Sequence, residues 1–137
     1  MVQATSYFLR TRQQRLYIPL HSHNSCEFVY FLSGQGTLDF NGKKVDFGPH
    51  TYYFVSPEIS HSELYDKGGH SLVIRYNKSK SFNHLFLYRQ DDSDSIFDHI
   101  NMIVDKINDL DNERTINKIF NEIIKIIKKV ENNAIIA

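Results

Sequence analysis

The sequence predicts an all-β domain, a sandwich or barrel of about eight short strands closed on itself, followed by a pair of amphipathic helices. Three observations carry this. Up to about residue 77 the apolar residues come in short aromatic and β-branched segments broken by turn residues. Beyond residue 92 they recur at the period of a helix, about 3.6. The chain has 137 residues, one domain's worth, and such a length buries roughly two-thirds of its unfolded surface without needing a disulfide or metal to fold.

The strands read, in order, as Tyr7 to Leu9, Leu16 to Ile18, Glu27 to Ser33, Thr37 to Phe40, Lys44 to Phe47, Thr51 to Ser56, His61 to Tyr65 and His70 to Tyr76. The clearest unit is Thr37 to Phe47. Leu38 and Phe40 alternate with polar neighbours, as do Val45 and Phe47, and Asn41-Gly42 supplies the two left-handed residues of a tight hairpin turn. Gly34-x-Gly36 and Gly68-Gly69 mark further turns. So many short strands predict closure, because an open sheet of that size leaves unpaired edges. The segment before Arg15, with Arg10, Arg12 and Arg15 among polar residues, reads equally as a mobile arm over the barrel mouth or as an edge strand.

Residues 78–92 read as a short helix or turn linking a β-barrel over 1–80 to a helical extension over 81–137. Ile96, Ile100, Ile103, Ile107 and Leu110 form the first helical stripe, with Asp92, Ser93 or Asp94 as its N-cap. Ile116, Ile119, Ile123, Ile127 and Val130 form the second, widened by Phe120, Ile124 and Ile126. A hairpin beside a small barrel leaves much of so broad a face uncovered, so the pattern predicts a homodimer through these helices.

Composition excludes several classes. Sixteen Lys and Arg balance sixteen Asp and Glu, and without a basic block the chain has no electrostatic footprint for direct nucleic-acid binding. Cys26 is the only cysteine, so there is no internal disulfide, and a reducing, cytoplasmic location is expected. No apolar run is long enough to span a membrane, and no signal-peptide pattern opens the sequence.

The chemistry lies in His21-Ser22-His23-Asn24-Ser25-Cys26-Glu27. Residues two apart on a strand share a face, so His21 and His23 point together, and Glu27 joins them if the strand runs on without a bulge. Two imidazoles and a carboxylate make much of a transition-metal site, and His61, after the turn at Ser56 to Ser60, is the candidate for a further ligand. His50, His70, His84 and His99 have no comparable spacing.

These residues carry a resemblance. His21-x-His23-x3-Glu27-x6-Gly34, followed by Pro57-x3-His61, resembles the two signature motifs of the cupin superfamily, whose small jelly-roll barrels hold a metal or small molecule. Ile18 to His23, Glu27 to Gly36, Phe47 to His50 and Ser56 to Ser62 resemble more narrowly the N-terminal effector-sensing domain of AraC-family transcription regulators. Arg15, Glu58-Ile59 and Tyr65 stand where the general cupin pattern has other residues. The DNA-binding half of such regulators is not part of this sequence, so that activity does not transfer.

The resemblance implies a dimeric sensor domain that takes up a small-molecule effector at His21, His23, Glu27, His61, Tyr30 and Tyr52, with no catalytic residue assigned. The alternative is a small metal-dependent enzyme of dioxygenase, isomerase or decarboxylase type. In either case His21, His23, Glu27 and His61 are candidate ligands for one divalent Zn, Ni, Mn or Fe, and a metal-free polar pocket floor remains open beside that reading. Tyr53, Tyr65 and Tyr76 are further candidates for a cavity lining, and Cys26, out of phase with the histidines, reads as packing.

Overall fold

In a computed structural model of the chain, every residue is described except Ser93, Leu110, Asp111 and Ala137; residues 132–136 are described by backbone alone. Strands β1 (Ala4–Arg12), β2 (Tyr17–His21), β3 (Cys26–Phe31), β4 (Gln35–Phe40), β5 (Lys43–Phe47), β6 (Thr51–Val55), β7 (His61–Lys67), β8 (Gly69–Tyr76) and β9 (Phe86–Gln90) precede helices α1 (Ser95–Lys106) and α2 (Glu113–Ile136). The strands form two antiparallel sheets, β1-β8-β3-β6-β9 and β2-β7-β4-β5.

Local chemistry explains the tight turns. Asn41 (φ 52°) and Gly42 (φ 93°) make the β4–β5 hairpin with Phe40 opposite Lys43, as the Asn-Gly pair predicts. At Gly36 the β7 backbone comes so close that an added Cβ would lie 1.9 Å from the Leu64 carbonyl oxygen, so only glycine fits.

Strand β3 shows how two cores arise from one sheet. All six of its residues are buried. Val29 and Phe31 face inward to a core between the sheets with Leu38, Phe40, Phe47 and Tyr65. Cys26, Phe28 and Tyr30 face outward to a second core, closed by Ile100 and Ile103 of α1 and Ile116, Phe120, Ile123 and Ile127 of α2. A strand covered on both faces reads as an unbroken apolar run, which is why Phe28 to Leu32 lacks alternation.

Residues 78–92 depart from the expected short helix or turn. Within them Phe86–Gln90 forms a ninth strand, β9, paired with β6. Phe86 and Tyr88 pack on the inner core and Leu87 on the outer, and this two-sided burial hid the alternation. Asp94 occupies the N-cap of α1 but makes no side-chain cap; Asp91 Oδ2 instead accepts from the Phe97 amide (2.8 Å). Ser93 and Leu110 lie outside the described residues. Most of the apolar residues of the two helical stripes pack on the chain's own five-stranded sheet, while Val130 at the end of the second stripe is exposed. The N-terminal segment is an edge strand along β8, not a free arm.

Asparagines on α2 fasten its start. Asn121 Oδ1 accepts from the Val2 amide and its Nδ2 donates to the Val2 carbonyl, while Asn117 Oδ1 accepts from the Ala4 amide, each at 2.8 Å. No helix among the described residues is long and apolar enough to cross a membrane.

Candidate functional site

The site is built by strand parity and pairing. The β2–β7 pairing sets His21 opposite His61, although the register shifts between Ile18 and His21. The turn after β2 then brings His23 back over the pair. Ring centroids lie 4.4 Å apart for His21–His61, 4.9 Å for His21–His23 and 5.7 Å for His23–His61. One ligand atom from each of the three lies within 4.8 Å of the others, a spacing that could hold a metal ion.

The protonation pattern suits that use. His21 donates Nδ1–H to the Pro19 carbonyl oxygen (2.8 Å), since a carbonyl can only accept, and this leaves the Nε2 lone pair free. A backbone carbonyl behind the ring is a common orienting contact for a metal-binding histidine. His61 is 1% exposed, and neither of its ring nitrogens has a hydrogen-bond partner. Burial, and then the neighbouring His21, pushes the His61 pKa below its ordinary 6.5. Burial also lowers His23, against the opposing pull of Glu27. Neutral imidazoles are the form that binds metal. An orphaned buried imidazole facing two others therefore fits a divalent Zn, Ni, Mn or Fe held by His21, His23 and His61, which would supply Lewis-acid polarisation of a bound group.

Glu27 reaches the cluster but is not one of the three convergent groups. Its Oε2 lies 3.2 Å from His23 Nε2 and its Oε1 3.9 Å from His61 Nε2. The same buried carboxylate accepts from the Tyr53 hydroxyl (3.3 Å) and sits 3.5 Å from Arg75 Nε. It stands beside the imidazoles, held from behind by β6 and β8.

Tyr30 and Tyr52 are not brought together with this cluster. Tyr30 is three positions from Glu27 and so points to the opposite face of β3, where its hydroxyl donates to Asp91 Oδ2 (2.8 Å). Tyr52 stacks on Tyr30 and lines a cleft of about 230 Å³ beneath the helices with Arg89, Asp91 and Ile126. Burial pushes the Tyr52 phenol up to about 12. Tyr53 and Tyr65 face inward instead, whereas Tyr76 is in the outer core. Cys26 is buried there as well, its thiol pKa raised by burial.

A second polar group stands beside the histidines and was missed in the sequence. Glu63 follows His61 by two on β7 and shares its face; it accepts from Arg10 Nη2 (3.1 Å) and the Tyr65 hydroxyl (2.8 Å), with Arg12 Nη2 at 3.8 Å. The signal was present in the Arg10-x-Arg12 and His61-x-Glu63 spacings, but an edge strand with charged residues gives no sign of which face is inside. His50, Asp91 and Asp94 make another possible ligand group on the helix side, where Asp91 already serves Tyr30 and the α1 amide.

Residues 9–64 match the cupin domain family. No curated protein matches the sequence. Solved structures of similar shape include an RmlC-like cupin from Shewanella frigidimarina (15% identity, 54% of this chain and 67% of that one, TM-score 0.49). They also include the DMSP lyase DddQ from Ruegeria pomeroyi (20%, 59% and 41%, TM-score 0.48) and oxalate decarboxylase from Bacillus subtilis (17%, 52% and 20%, TM-score 0.46). The chain thus spans less than half of either enzyme. The segment that matches the cupin domain family contains His21, His23, Glu27, His61 and Glu63, and the two antiparallel sheets that carry it have the arrangement of a cupin jelly roll.

Proposed function

We propose that this chain is a small-molecule-binding cupin domain that takes up its ligand at a divalent metal held by His21, His23 and His61, and that it serves as an effector sensor of the AraC-regulator type. The observation that carries the reading is the convergence of the three imidazoles, with both nitrogens of the buried His61 unpartnered. The sensing part is supported by how the helices sit. Strands β3 and β8 carry Glu27 and Arg75 on one face and Phe28, Ile74 and Tyr76 on the other, against the core that includes α2. A ligand that favours one arrangement of these strands biases the helices through shared packing.

The second reading is a metal-dependent enzyme. Three protein ligands leave positions on the metal open to a substrate, which favours it. Turnover separates the two. A sensor releases its ligand chemically unchanged, while an enzyme releases a product from the metal-loaded protein.

The test is metal analysis of protein purified without a histidine tag, after incubation with Zn, Ni, Mn or Fe(II) and desalting. About one equivalent of at least one metal is expected, falling below about a tenth in His61→Ala. Uptake that His61→Ala leaves unchanged would refute the site.

A further inference from the structure

Four strands from both sheets send charged groups to one place beside the histidines. Arg10 and Arg12 come from β1, Arg75 from β8, Glu27 from β3 and Glu63 from β7. Glu27 and Arg75 are direct cross-strand partners, and Arg10 and Arg12 both turn to Glu63. Three guanidiniums thus face two carboxylates, a surplus of one positive charge before any metal adds two more. A partly buried surplus of one sign favours the uptake of an opposite charge.

The hydrogen-bond donors of the same groups are only partly used. Among the described residues, the buried Nε donors of Arg10, Arg12 and Arg75 and both ring nitrogens of His61 have no hydrogen-bond partner. Folded proteins leave few such donors unpaired, and a cluster of them on guanidiniums suits an acceptor that joins them from outside the chain. Each guanidinium presents its donors in a fixed planar fork, which suits a carboxylate or phosphate edge. Arg75 is 37% exposed and lies over the Phe8 ring, 5.4 Å from its centroid, so this group is reached from the solvent side.

We infer that the ligand of this site is a small organic anion, held through a carboxylate or phosphate group by Arg10, Arg12 and Arg75 beside the three imidazoles. This rests on the reading of the cluster as a ligand site and names the chemistry that it accepts. Arg10 also holds Glu63 in place, and its Nε together with Arg12 and Arg75 supplies the donors that Glu27 and Glu63 leave unused.

The probes are malonate, inorganic phosphate and the neutral malonamide, titrated calorimetrically into metal-free and Zn-treated protein. Malonate or phosphate is expected to bind at millimolar concentration and malonamide not to. Whichever anion binds more tightly identifies the headgroup. Arg12→Gln and Arg75→Gln, at partly exposed positions and so spared the cost of an emptied core, are each expected to weaken binding by about tenfold or more. Their thermal unfolding verifies the fold, and their Zn content is expected to stay at the wild-type level. No binding of either anion, equal binding of malonamide, or undiminished affinity in both variants overturns the inference. If Zn is not taken up at all, the metal reading fails, and the metal-free titration still decides whether the site takes anions.

Discussion

Glu27 and Phe28 are neighbours on β3 that serve opposite cores: the Glu27 carboxylate lies 3.2 Å from His23 Nε2, and the Phe28 ring lies 5.7 Å from Phe120 of α2. One peptide unit therefore joins the polar cluster to the helix layer. Binding at the cluster that displaces β3 must be felt by α2, because close-packed aromatic contacts do not stretch. Amide hydrogen exchange measured with and without bound Zn is expected to change in α2 around Phe120 as well as in β2 and β7. A change confined to the cluster strands would count against the sensing role.

Phe120 closes the outer core. It is fully buried and meets Phe28, Phe54 and Tyr76 at ring separations of 5.7, 6.4 and 5.6 Å. Phe120→Ala is expected to cost about 3–5 kcal/mol of stability, read by urea unfolding. A loss near that of a surface substitution would mean that α2 is not seated on this sheet.

Glu63 is buried among cations. Removing its charge in Glu63→Gln leaves Arg10, 13% exposed in its side chain, without its carboxylate, and is expected to cost about 3–5 kcal/mol. Burial works against the charge on Arg10, and Glu63 with the other acidic groups around it outweighs that and raises its pKa. Equilibrium unfolding of Glu63→Gln at neutral pH checks this, and a neutral result would place the pair in solvent.

The two lowered histidines make metal-free protein acid-sensitive. His23 and His61 have pKa values below 6.5 in the folded state, so near that pH the unfolded chain binds more protons than the folded one. Their contribution to stability is complete above pH 6.5 and is lost as pH falls from there through the folded values. Thermal midpoints of metal-free protein between pH 8 and 5 are expected to fall on the acid side. In His61→Ala that acid-side slope is expected to shrink.

The asparagine clasp is a smaller element. Asn121→Ala removes two bonds to the Val2 backbone and is expected to cost about 1–2 kcal/mol, with faster amide exchange at Val2. Unchanged exchange there would show that β1 needs no clasp.

Much of this was legible in the sequence because it depends on spacing. Eight of the strands, both helices and the His21-x-His23 pair follow from periods of two and 3.6, and the Asn41-Gly42 turn from its conformational demand. What was not legible depends on which surface covers which. Phe86 to Gln90 gave no alternation because both of its faces are packed. Tyr30 could not be told from an inward tyrosine until its parity with Glu27 was set in a real strand. That the helical stripes pack on the outer face of β3, β6 and β8 was not legible, because nothing in the sequence announces that this face is equally apolar. Glu63 was passed over because the value of a buried carboxylate lies in its partners, Arg10 and Arg12, some fifty residues away.

Anomalous diffraction at the Zn absorption edge from crystals of tag-free protein grown with Zn(II) locates the metal. One strong peak is expected between the imidazoles of His21, His23 and His61. A peak only at other histidines such as His70 or His99, or no peak in crystals with those three rings well ordered, would contradict it.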